Sequence, residues 1–244
     1  MNKIPSIKEL DLLMDDVKAL VFPEHSYTDS GTALCNIRNI FGENAGQTAL
    51  EAFMEGLEEI KRLCRGDARA ILSNDPASAD LDEVIHCYPG LTATLHYRVA
   101  HVLHKAGVKV LPRMLTERAH SLTGIDIHPG ATIGENFAID HGTGIVIGAT
   151  SIIGNNVMIY QGVTLGARNF KYDESGNPLD YPRHPVIEDN VTIYSNATVL
   201  GRVTIGHHSI IGGNVWLTHD VPPFSRIVQS KAVSAPLFSE GAGI

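Results

Sequence analysis

The sequence has few cysteines and no long apolar run. Its three cysteines, Cys35, Cys64 and Cys87, show no C-x-x-C spacing. We therefore expect reduced, mostly buried thiols in a cytoplasmic protein, and neither disulfides nor a metal site. A membrane-spanning helix needs about 20 consecutive apolar residues. No stretch of this sequence approaches that length, so the sequence predicts no membrane span.

Basic residues are also scarce. The chain has 19 Lys and Arg against 27 Asp and Glu, which gives a formal net charge of −8 at pH 7. Nucleic-acid binding depends on a basic surface that neutralises phosphates. This balance therefore argues against nucleic acid as a partner. The 43% of hydrophobic residues is in the range of globular proteins with an ordinary core.

The first half of the chain has a helical hydrophobic period. Apolar residues in the segment 7–20 recur at intervals of three and four, and Pro23 follows that segment. The same pattern predicts further helices over 34–41, 49–64, 91–105 and 110–122. The sequence Asn74-Asp75-Pro76 is typical of a turn. We expect an α-helical domain over residues 1–123.

From residue 124 the period changes from 3.6 to six residues. The recurring aliphatic residues are Ile127, Ile133, Ile139 and Ile145, then Ile153, Ile159 and Leu165, then Ile187, Ile193, Val199, Ile205, Ile211 and Leu217. This short fixed period is typical of a stacked β-solenoid, in which three hexads form one triangular coil. The period predicts a solenoid over 124–223, with a slip after Ile145, a protruding polar loop at 167–184 and a C-terminal tail at 224–244.

Five motifs resemble those of the serine O-acetyltransferase family of hexapeptide-repeat acyltransferases. They are NDPA at 74–77, DIHPG at 126–130, DHGTG at 140–144, QGVTLG at 161–166 and RHP at 183–185. The resemblance implies an α+β fold, in which an N-terminal α-helical domain precedes a left-handed parallel β-helix of hexapeptide repeats. It also implies a homotrimer, or a dimer of trimers that pairs through the helical domains.

The resemblance implies acetyl transfer from acetyl-CoA to the hydroxyl of L-serine. That hydroxyl is a weak nucleophile at neutral pH and needs a base within hydrogen-bond reach. An imidazole titrates near pH 6.5 and suits this role, which the resemblance assigns to His141. The family uses the carboxylate that matches Asp126 to orient the imidazole. Asp126 precedes His141 by about one coil of the solenoid, which favours contact between adjacent coils.

The substrate-binding residues are also expectations from the resemblance. It assigns the ammonium of serine to Asp75 and Asp140, and the carboxylate of serine to Arg183 and His184. These charges are complementary to those of an α-amino acid. It places coenzyme A against Gly166, Ala167 and Ser195, although the family commonly has Gly-Gly where this chain has Gly166-Ala167. The reaction requires no metal.

The resemblance further implies two regulatory partners. Cysteine is expected to bind in the serine site as a feedback inhibitor, because it presents the same ammonium and carboxylate. The C-terminal Ile244 is expected to dock into O-acetylserine sulfhydrylase, since a terminal carboxylate with one apolar side chain is a compact recognition unit.

Three alternatives remain open at this point. A hexapeptide-repeat acyltransferase for a sugar or an antibiotic would share the six-residue period, but it would not need Asp75 and Arg183 for an α-amino acid. A β-helical carbonic anhydrase would need zinc held by three histidines. A non-catalytic scaffold would dock a partner through the tail and would release no thiol from acetyl-CoA.

Overall fold

The structure of the chain is a computed structural model that describes residues 4–42 and 46–230. Most of the predicted tail, including Ile244, lies outside the described residues. Within the described ranges, no helix is both long enough and apolar enough to cross a membrane.

Within residues 4–42 and 46–123, six α-helices and one 3-10 turn precede the first strand. Their bounds are α1 Ile7–Val21, the 3-10 turn Pro23–His25, α2 Ser30–Ile40, α3 Gln47–Asn74, α4 Leu81–Cys87, α5 Pro89–Lys105 and α6 Leu111–Thr123. A capping box formed by Ser6 and Glu9 begins α1, where it satisfies backbone donors that a helix start leaves free. Gly124 ends α6 with a φ of 72°, a left-handed conformation that glycine adopts without strain.

The sequence prediction was wrong about two helices and two cysteines. Helix α3 continues beyond Cys64 through Gly66 and Asp67 to Asn74, and α4 was not predicted. A glycine followed by an aspartate normally weakens a helix. Here a Cβ on Gly66 would lie 2.8 Å from Asn136 Oδ1, so the glycine allows α3 to approach the solenoid closely. Of the cysteines, Cys64 is buried but Cys35 and Cys87 are exposed.

Fourteen strands follow within residues 124–230 and form three parallel sheets, which are the faces of the predicted solenoid. Sheet A contains β1 Asp126–Ile127, β4 Val146–Ile147, β7 Thr164–Gly166, β10 Thr198–Leu200 and β13 Trp216–Leu217. Sheet B contains β2 Thr132–Ile133, β5 Ile152–Ile153, β8 Val186–Ile187 and β11 Thr204–Ile205. Sheet C contains β3 Ala138–Asp140, β6 Met158–Tyr160, β9 Thr192–Ile193, β12 Ile210–Ile211 and β14 Arg226–Ile227.

The strand register places the slip in the repeat differently from the prediction. Ile127 pairs with Ile147, and Ile147 pairs with Leu165, so Ile145 is not the stacked position of its coil. The two extra residues therefore lie before β4, in the turn that contains His141. The period alone could not distinguish Ile145 from Ile147, because both are aliphatic and both are buried.

The chain turns repeatedly at the two edges of sheet A, and these edges carry most of the predicted site residues. We call the edge where the chain passes from sheet C to sheet A corner C–A; it includes the turns 141–145, 161–163 and 194–197. We call the edge where the chain passes from sheet A to sheet B corner A–B; it includes the turns 128–131, 148–151 and 167–185. Each corner is a column of turns that stack from coil to coil.

Helices α3 and α5 cover the first coil of the solenoid. Arg98 and Asp67, which are 3% and 0% exposed, form a buried ion pair. The guanidinium of Arg98 also donates to the carbonyl oxygens of Ile133 and Gly134, each at 2.6 Å. The Phe137 N–H donates to Asp67 at 2.9 Å. This network holds the site-bearing coils against the helices.

Candidate active site

Corner C–A carries the predicted base. His141 follows β3 directly and has a φ of 56°, and its side chain is 71% exposed. Its Nδ1 lies 3.7 Å from Oδ1 of Asp140, the last residue of β3. The longer turn and the left-handed backbone together turn the imidazole outward from the solenoid. His141 is therefore accessible to a substrate.

Asp75 lies in the same corner, although it comes from the end of α3. The hydroxyl of Tyr88 donates to Asp75 Oδ2 at 2.5 Å, and the Ala77 N–H donates to Asp75 Oδ1 at 2.8 Å. These two hydrogen bonds, with a smaller contribution from His141, lower the pKa of Asp75. The negative charge of Asp140 also contributes to the raised pKa of Tyr88. The structure thus brings Asp75, Asp140 and His141 together as an anionic cluster beside an imidazole.

The second group of predicted residues lies on corner A–B, where the chain rejoins the solenoid after the loop. The hydroxyl oxygen of Thr150 accepts from the backbone N–H of Arg183 at 2.9 Å and from that of His184 at 3.1 Å. The backbone N–H of Thr150 donates to His184 Nδ1 at 3.1 Å, and the Thr150 hydroxyl is 2.8 Å from the same nitrogen. One threonine thus fixes both predicted carboxylate ligands.

His184 is held as a neutral donor. It is 7% exposed, and its ring packs so closely on Gly148 that a Cβ there would lie 1.9 Å from the ring. Burial, followed by the charges of Arg183, His128 and Arg202, lowers the pKa of His184 to about 4. Because Nδ1 accepts from Thr150, the hydrogen-bond network assigns the proton to Nε2. A neutral Nε2–H is suited to donate to a carboxylate.

The guanidinium of Arg183 contacts residues of the protruding loop. It lies 3.5 Å from the carbonyl oxygen of Tyr181, 3.9 Å from Asp180 and 5.8 Å from the centre of the Phe170 ring. Its Nε is buried and has no hydrogen-bond partner among the described residues. A buried donor without a partner is costly, so a ligand that accepts a hydrogen bond from this nitrogen would remove that cost.

The predicted coenzyme residues also divide between the two corners. Gly166 ends β7 and Ala167 begins the loop on corner A–B, whereas Ser195 lies on corner C–A. A Cβ on Gly166 would lie 2.8 Å from Leu200 Cδ2, so this position requires close packing between coils.

Asp126 lies one coil before His141 but is not hydrogen-bonded to it in the described residues. The coils do stack: the Gly144 N–H donates to Gly124 O at 2.8 Å, and the Asp126 N–H donates to Ile145 O at 2.9 Å. The carboxylate of Asp126 instead forms a group with Glu117 and His120 of α6, with ligand atoms within 4.8 Å of one another. The nearest carboxylate to His141 is therefore that of Asp140.

Sheet A separates the two groups of site residues within one chain. Passing from His141 to Gly148 crosses β4 and its flanks, about five extended residues or roughly 16 Å. An α-amino acid is much shorter than this. The structure therefore brings Asp75, Asp140 and His141 together, and Arg183 and His184 together, but it does not bring the two groups to each other.

Three residues of these clusters were missed in the sequence analysis, namely Tyr88, Gly148 and Thr150. Tyr88 is distant in sequence from Asp75, and Thr150 is distant from Arg183, so only the fold reveals these contacts. For Gly148 the available signal was a glycine directly after an inward aliphatic residue.

Comparisons with known proteins are consistent with this geometry. Residues 184–219 match the family described as bacterial transferase hexapeptide (six repeats). The chain is 46% identical over 238 residues to a plasmid serine acetyltransferase of Synechococcus elongatus, which covers 97% of this chain and 73% of the relative. It is 45% identical over 167 residues to a serine acetyltransferase of Bacillus subtilis, which covers 68% of this chain and 73% of that protein.

Solved structures give the same result. Serine acetyltransferase isoform 3 of Entamoeba histolytica, in complex with cysteine, is 32% identical with a TM-score of 0.81 and covers 93% of this chain and 84% of that one. The serine acetyltransferase of Neisseria gonorrhoeae, in complex with serine, is 30% identical with a TM-score of 0.69 and covers 94% of this chain and 84% of that one. The likeness extends over both the helices and the solenoid.

Proposed function

This chain belongs to the serine acetyltransferase family, and we propose that His141 is the general base of its reaction. As the serine hydroxyl attacks the thioester carbon of acetyl-CoA, the imidazole takes the hydroxyl proton. When the tetrahedral intermediate collapses, the imidazolium returns that proton to the departing thiolate of coenzyme A. The observation that carries this role is the outward-turned His141 beside two carboxylates.

The two clusters are complementary to the two charges of serine. Asp75 and Asp140 bind the ammonium, which places the hydroxyl near His141. The pKa of Asp75 is lowered by its hydrogen bonds, so this carboxylate remains charged at neutral pH. Arg183 and His184 bind the carboxylate, with the guanidinium and a neutral Nε2–H as donors. Cysteine, which carries the same two groups, binds in the same place as an inhibitor.

The complete site lies between two copies of the chain. Because sheet A separates the clusters by roughly 16 Å, corner C–A of one copy must face corner A–B of its neighbour. A head-to-tail contact of this kind closes into a ring, and three copies produce a trimer with three equivalent sites. Acetyl-CoA lies in the groove between the copies, where Gly166 and Ala167 of one copy face Ser195 of the other. Two such trimers pair through the helical domains.

Asp126 is proposed as the orienting carboxylate for His141. Its coil stacks directly on the turn that carries the imidazole, and His141 is exposed and accepts no hydrogen bond from the described residues. Rotation of the imidazole toward Asp126 would fix the tautomer that accepts the serine proton.

Asp126→Asn should then lower kcat more than Asp140→Asn does. The main effect of Asp140→Asn should be on the KM for serine.

The test of the base is the His141→Ala substitution. We expect the fold to remain and turnover to fall by a factor on the order of 10²–10⁴, measured as thiol release from acetyl-CoA with L-serine. His219→Ala provides a matched control, because His219 is an exposed histidine of the same solenoid. Full activity in His141→Ala would refute the assignment.

The C-terminal tail is proposed to dock into O-acetylserine sulfhydrylase through Ile244. A free terminal carboxylate and an isoleucine side chain form a compact ligand for an amino-acid site. Removal of Ile244 should abolish binding of the sulfhydrylase without changing acetyl transfer. Equal affinity of the sulfhydrylase for the chain with and without Ile244 would contradict this proposal.

A further inference from the structure

The helical half contains a cavity that is lined by none of the residues assigned to the active site. It has a volume of about 250 Å³ and lies between α1, α4, α5 and α6. The apolar part of its wall is formed by Met14, Phe22, Ile85, Leu91, Leu95 and Leu122. Ionisable groups also line it, namely Asp11, Asp15, Lys18, His96 and Arg118. This cavity therefore combines an apolar surface with charges of both signs.

His96, which lines this cavity, has an unused hydrogen-bond acceptor. It is 5% exposed, and its Nδ1 lies 2.8 Å from the carbonyl oxygen of Thr92, so Nδ1 must carry the proton. Burial lowers the pKa of His96, which keeps the ring neutral and leaves Nε2 as an acceptor. Nε2 has no hydrogen-bond partner among the described residues. The charged groups that act on the ring, Asp11, Arg118 and Asp15, all line the cavity.

The remaining charges define what the cavity can accept. Arg118 donates to Asp11 at 2.7 and 2.9 Å, so this pair is mutually satisfied. Asp15 and the half-buried Lys18 are left as one carboxylate and one ammonium. Together with the acceptor on His96, they suit a ligand that has both an ammonium and a carboxylate. Such a ligand enters without leaving a net charge in the cavity.

We propose that this cavity is a second binding site, which takes a free α-amino acid with an apolar side chain. The ammonium of the ligand lies between Asp15 and Nε2 of His96, and its carboxylate contacts Lys18. Its side chain packs against the apolar wall around Leu91 and Leu95. The inference goes beyond the proposed reaction and uses none of the residues assigned to it.

The cavity is connected to the active site through the first turn of α5. Thr92, which lines the cavity, donates from its hydroxyl to the carbonyl oxygen of Tyr88 at 3.4 Å, and Tyr88 holds Asp75. Gly90, in the same turn, is packed so tightly that a Cβ would lie 2.5 Å from the carbonyl oxygen of Ile139. Occupancy of the cavity therefore acts on Asp75 and Asp140, and the site is regulatory.

The test is calorimetric titration of the full-length protein with L-leucine and L-methionine in the presence of saturating L-serine. We expect saturable binding with a dissociation constant in the millimolar range or below. Two probes each lack one charge: 4-methylpentanoate has no ammonium and isopentylamine has no carboxylate. Each should bind at least about tenfold more weakly, as expected when a charged group loses its partner.

Two variants test the residues. Asp15→Asn and Lys18→Met should each weaken leucine binding about tenfold or more, whereas Glu55→Gln on the exposed side of α3 should have no effect. All three positions are exposed or half-exposed, so folding is preserved. The absence of saturable binding, or equal affinity in Asp15→Asn and Glu55→Gln, would overturn the site.

Two further measurements distinguish this inference from the proposed role of His141 as the base. His141→Ala should retain leucine binding, because the cavity does not depend on the assignment of the base. Saturating leucine should change the KM for serine in the wild type but not in Asp15→Asn. An unchanged KM with bound leucine would overturn the regulatory role.

Sedimentation of the protein tests whether a second copy of the chain covers the cavity. If a second copy covers it, no leucine would bind, and the proposal would be overturned.

Discussion

At the scale of single residues, the hydrogen bond from Tyr88 lowers the pKa of Asp75. The hydroxyl of Tyr88 is the largest cause of the lowered pKa of Asp75. Tyr88→Phe removes that hydrogen bond and should raise both the pKa of Asp75 and the KM for serine. We expect a rise in KM of about tenfold at neutral pH, since hydrogen bonds to charged groups contribute roughly 1.5–3 kcal/mol. Steady-state kinetics as a function of pH measure this change.

The pH profile distinguishes this role from a purely structural one. With a raised pKa, Asp75 loses its charge earlier as the pH falls, so the KM for serine should begin to rise at a higher pH in Tyr88→Phe than in the wild type. Tyr172→Phe, in the exposed loop, is the matched control. Identical profiles for the wild type and Tyr88→Phe would contradict the positioning role.

Thr150 is a second residue whose effect is indirect. Its hydroxyl accepts from Arg183 and His184 and lies 2.8 Å from His184 Nδ1. Thr150→Val keeps the shape of the side chain but leaves two backbone donors without a partner. We expect the KM for serine to rise by about tenfold or more, with a smaller change in kcat. Thr132→Val, at an outward position of β2, should leave both constants unchanged. A kcat effect without a KM effect would contradict this assignment.

At the scale of elements, a buried ion pair joins the helices to the solenoid. Asp67 of α3 and Arg98 of α5 bind each other and the backbone of the first coil. Asp67→Asn leaves the guanidinium of Arg98 buried without a counter-charge. The free energy of unfolding should fall by about 3–5 kcal/mol, which chemical denaturation measures.

An exposed ion pair of α3 is the control for that substitution. Glu59 and Arg62 lie 2.7 Å apart on the solvent side, with side chains about half exposed. Surface pairs contribute at most about 1 kcal/mol, so Glu59→Gln should change the unfolding free energy little. Equal effects of Asp67→Asn and Glu59→Gln would show that the buried network does not join the two halves.

At the scale of the whole molecule, the proposed division of the site between two corners of neighbouring copies predicts complementation. His141→Ala impairs corner C–A, and Arg183→Ala impairs corner A–B. If the chains assort at random, about a third of the interfaces in mixed trimers, and therefore about a quarter of all interfaces, should combine two intact corners. Co-expression of the two inactive variants should therefore restore about a quarter of the wild-type activity. No recovery in trimers shown to be mixed would place the site within one chain.

The stability of the whole molecule should also depend on pH through corner A–B. The pKa values of His128 and His184 are each lowered to about 4, mainly by burial. Arg113, His104 and Arg183 lower the pKa of His128 further, whereas Asp126 raises it. In the unfolded chain a histidine titrates near 6.5, so between about pH 6.5 and 4 the unfolded state binds more protons. Stability is therefore full above pH 6.5 and falls as the pH decreases toward 4.

Thermal denaturation across this range measures the effect, and His128→Asn is the informative variant. The Asn side chain can still accept from the Gly130 N–H, as His128 Nδ1 does at 2.9 Å, but it does not titrate. The fall in melting temperature between pH 6.5 and 4 should be smaller in His128→Asn than in the wild type. A slope equal to that of the wild type would contradict the assignment to His128.

The two kinds of architecture and the family could be predicted from local patterns along the chain. A stripe of apolar residues specifies an amphipathic helix, and one inward aliphatic residue per hexad specifies a stacked coil, because both are local periodic patterns. The motifs around Asp140 and Arg183 are contiguous and could be recognised without a structure. These features depend on neighbours along the chain.

The folded structure was needed to establish which side chains meet. It placed the slip of the repeat at the turn of His141, extended α3 through Gly66 and Asp67, and connected Tyr88 to Asp75 and Thr150 to Arg183. It also placed the two groups of predicted site residues on opposite sides of sheet A. Contacts between residues far apart in sequence depend on how coils stack and helices pack, and no local period records that information.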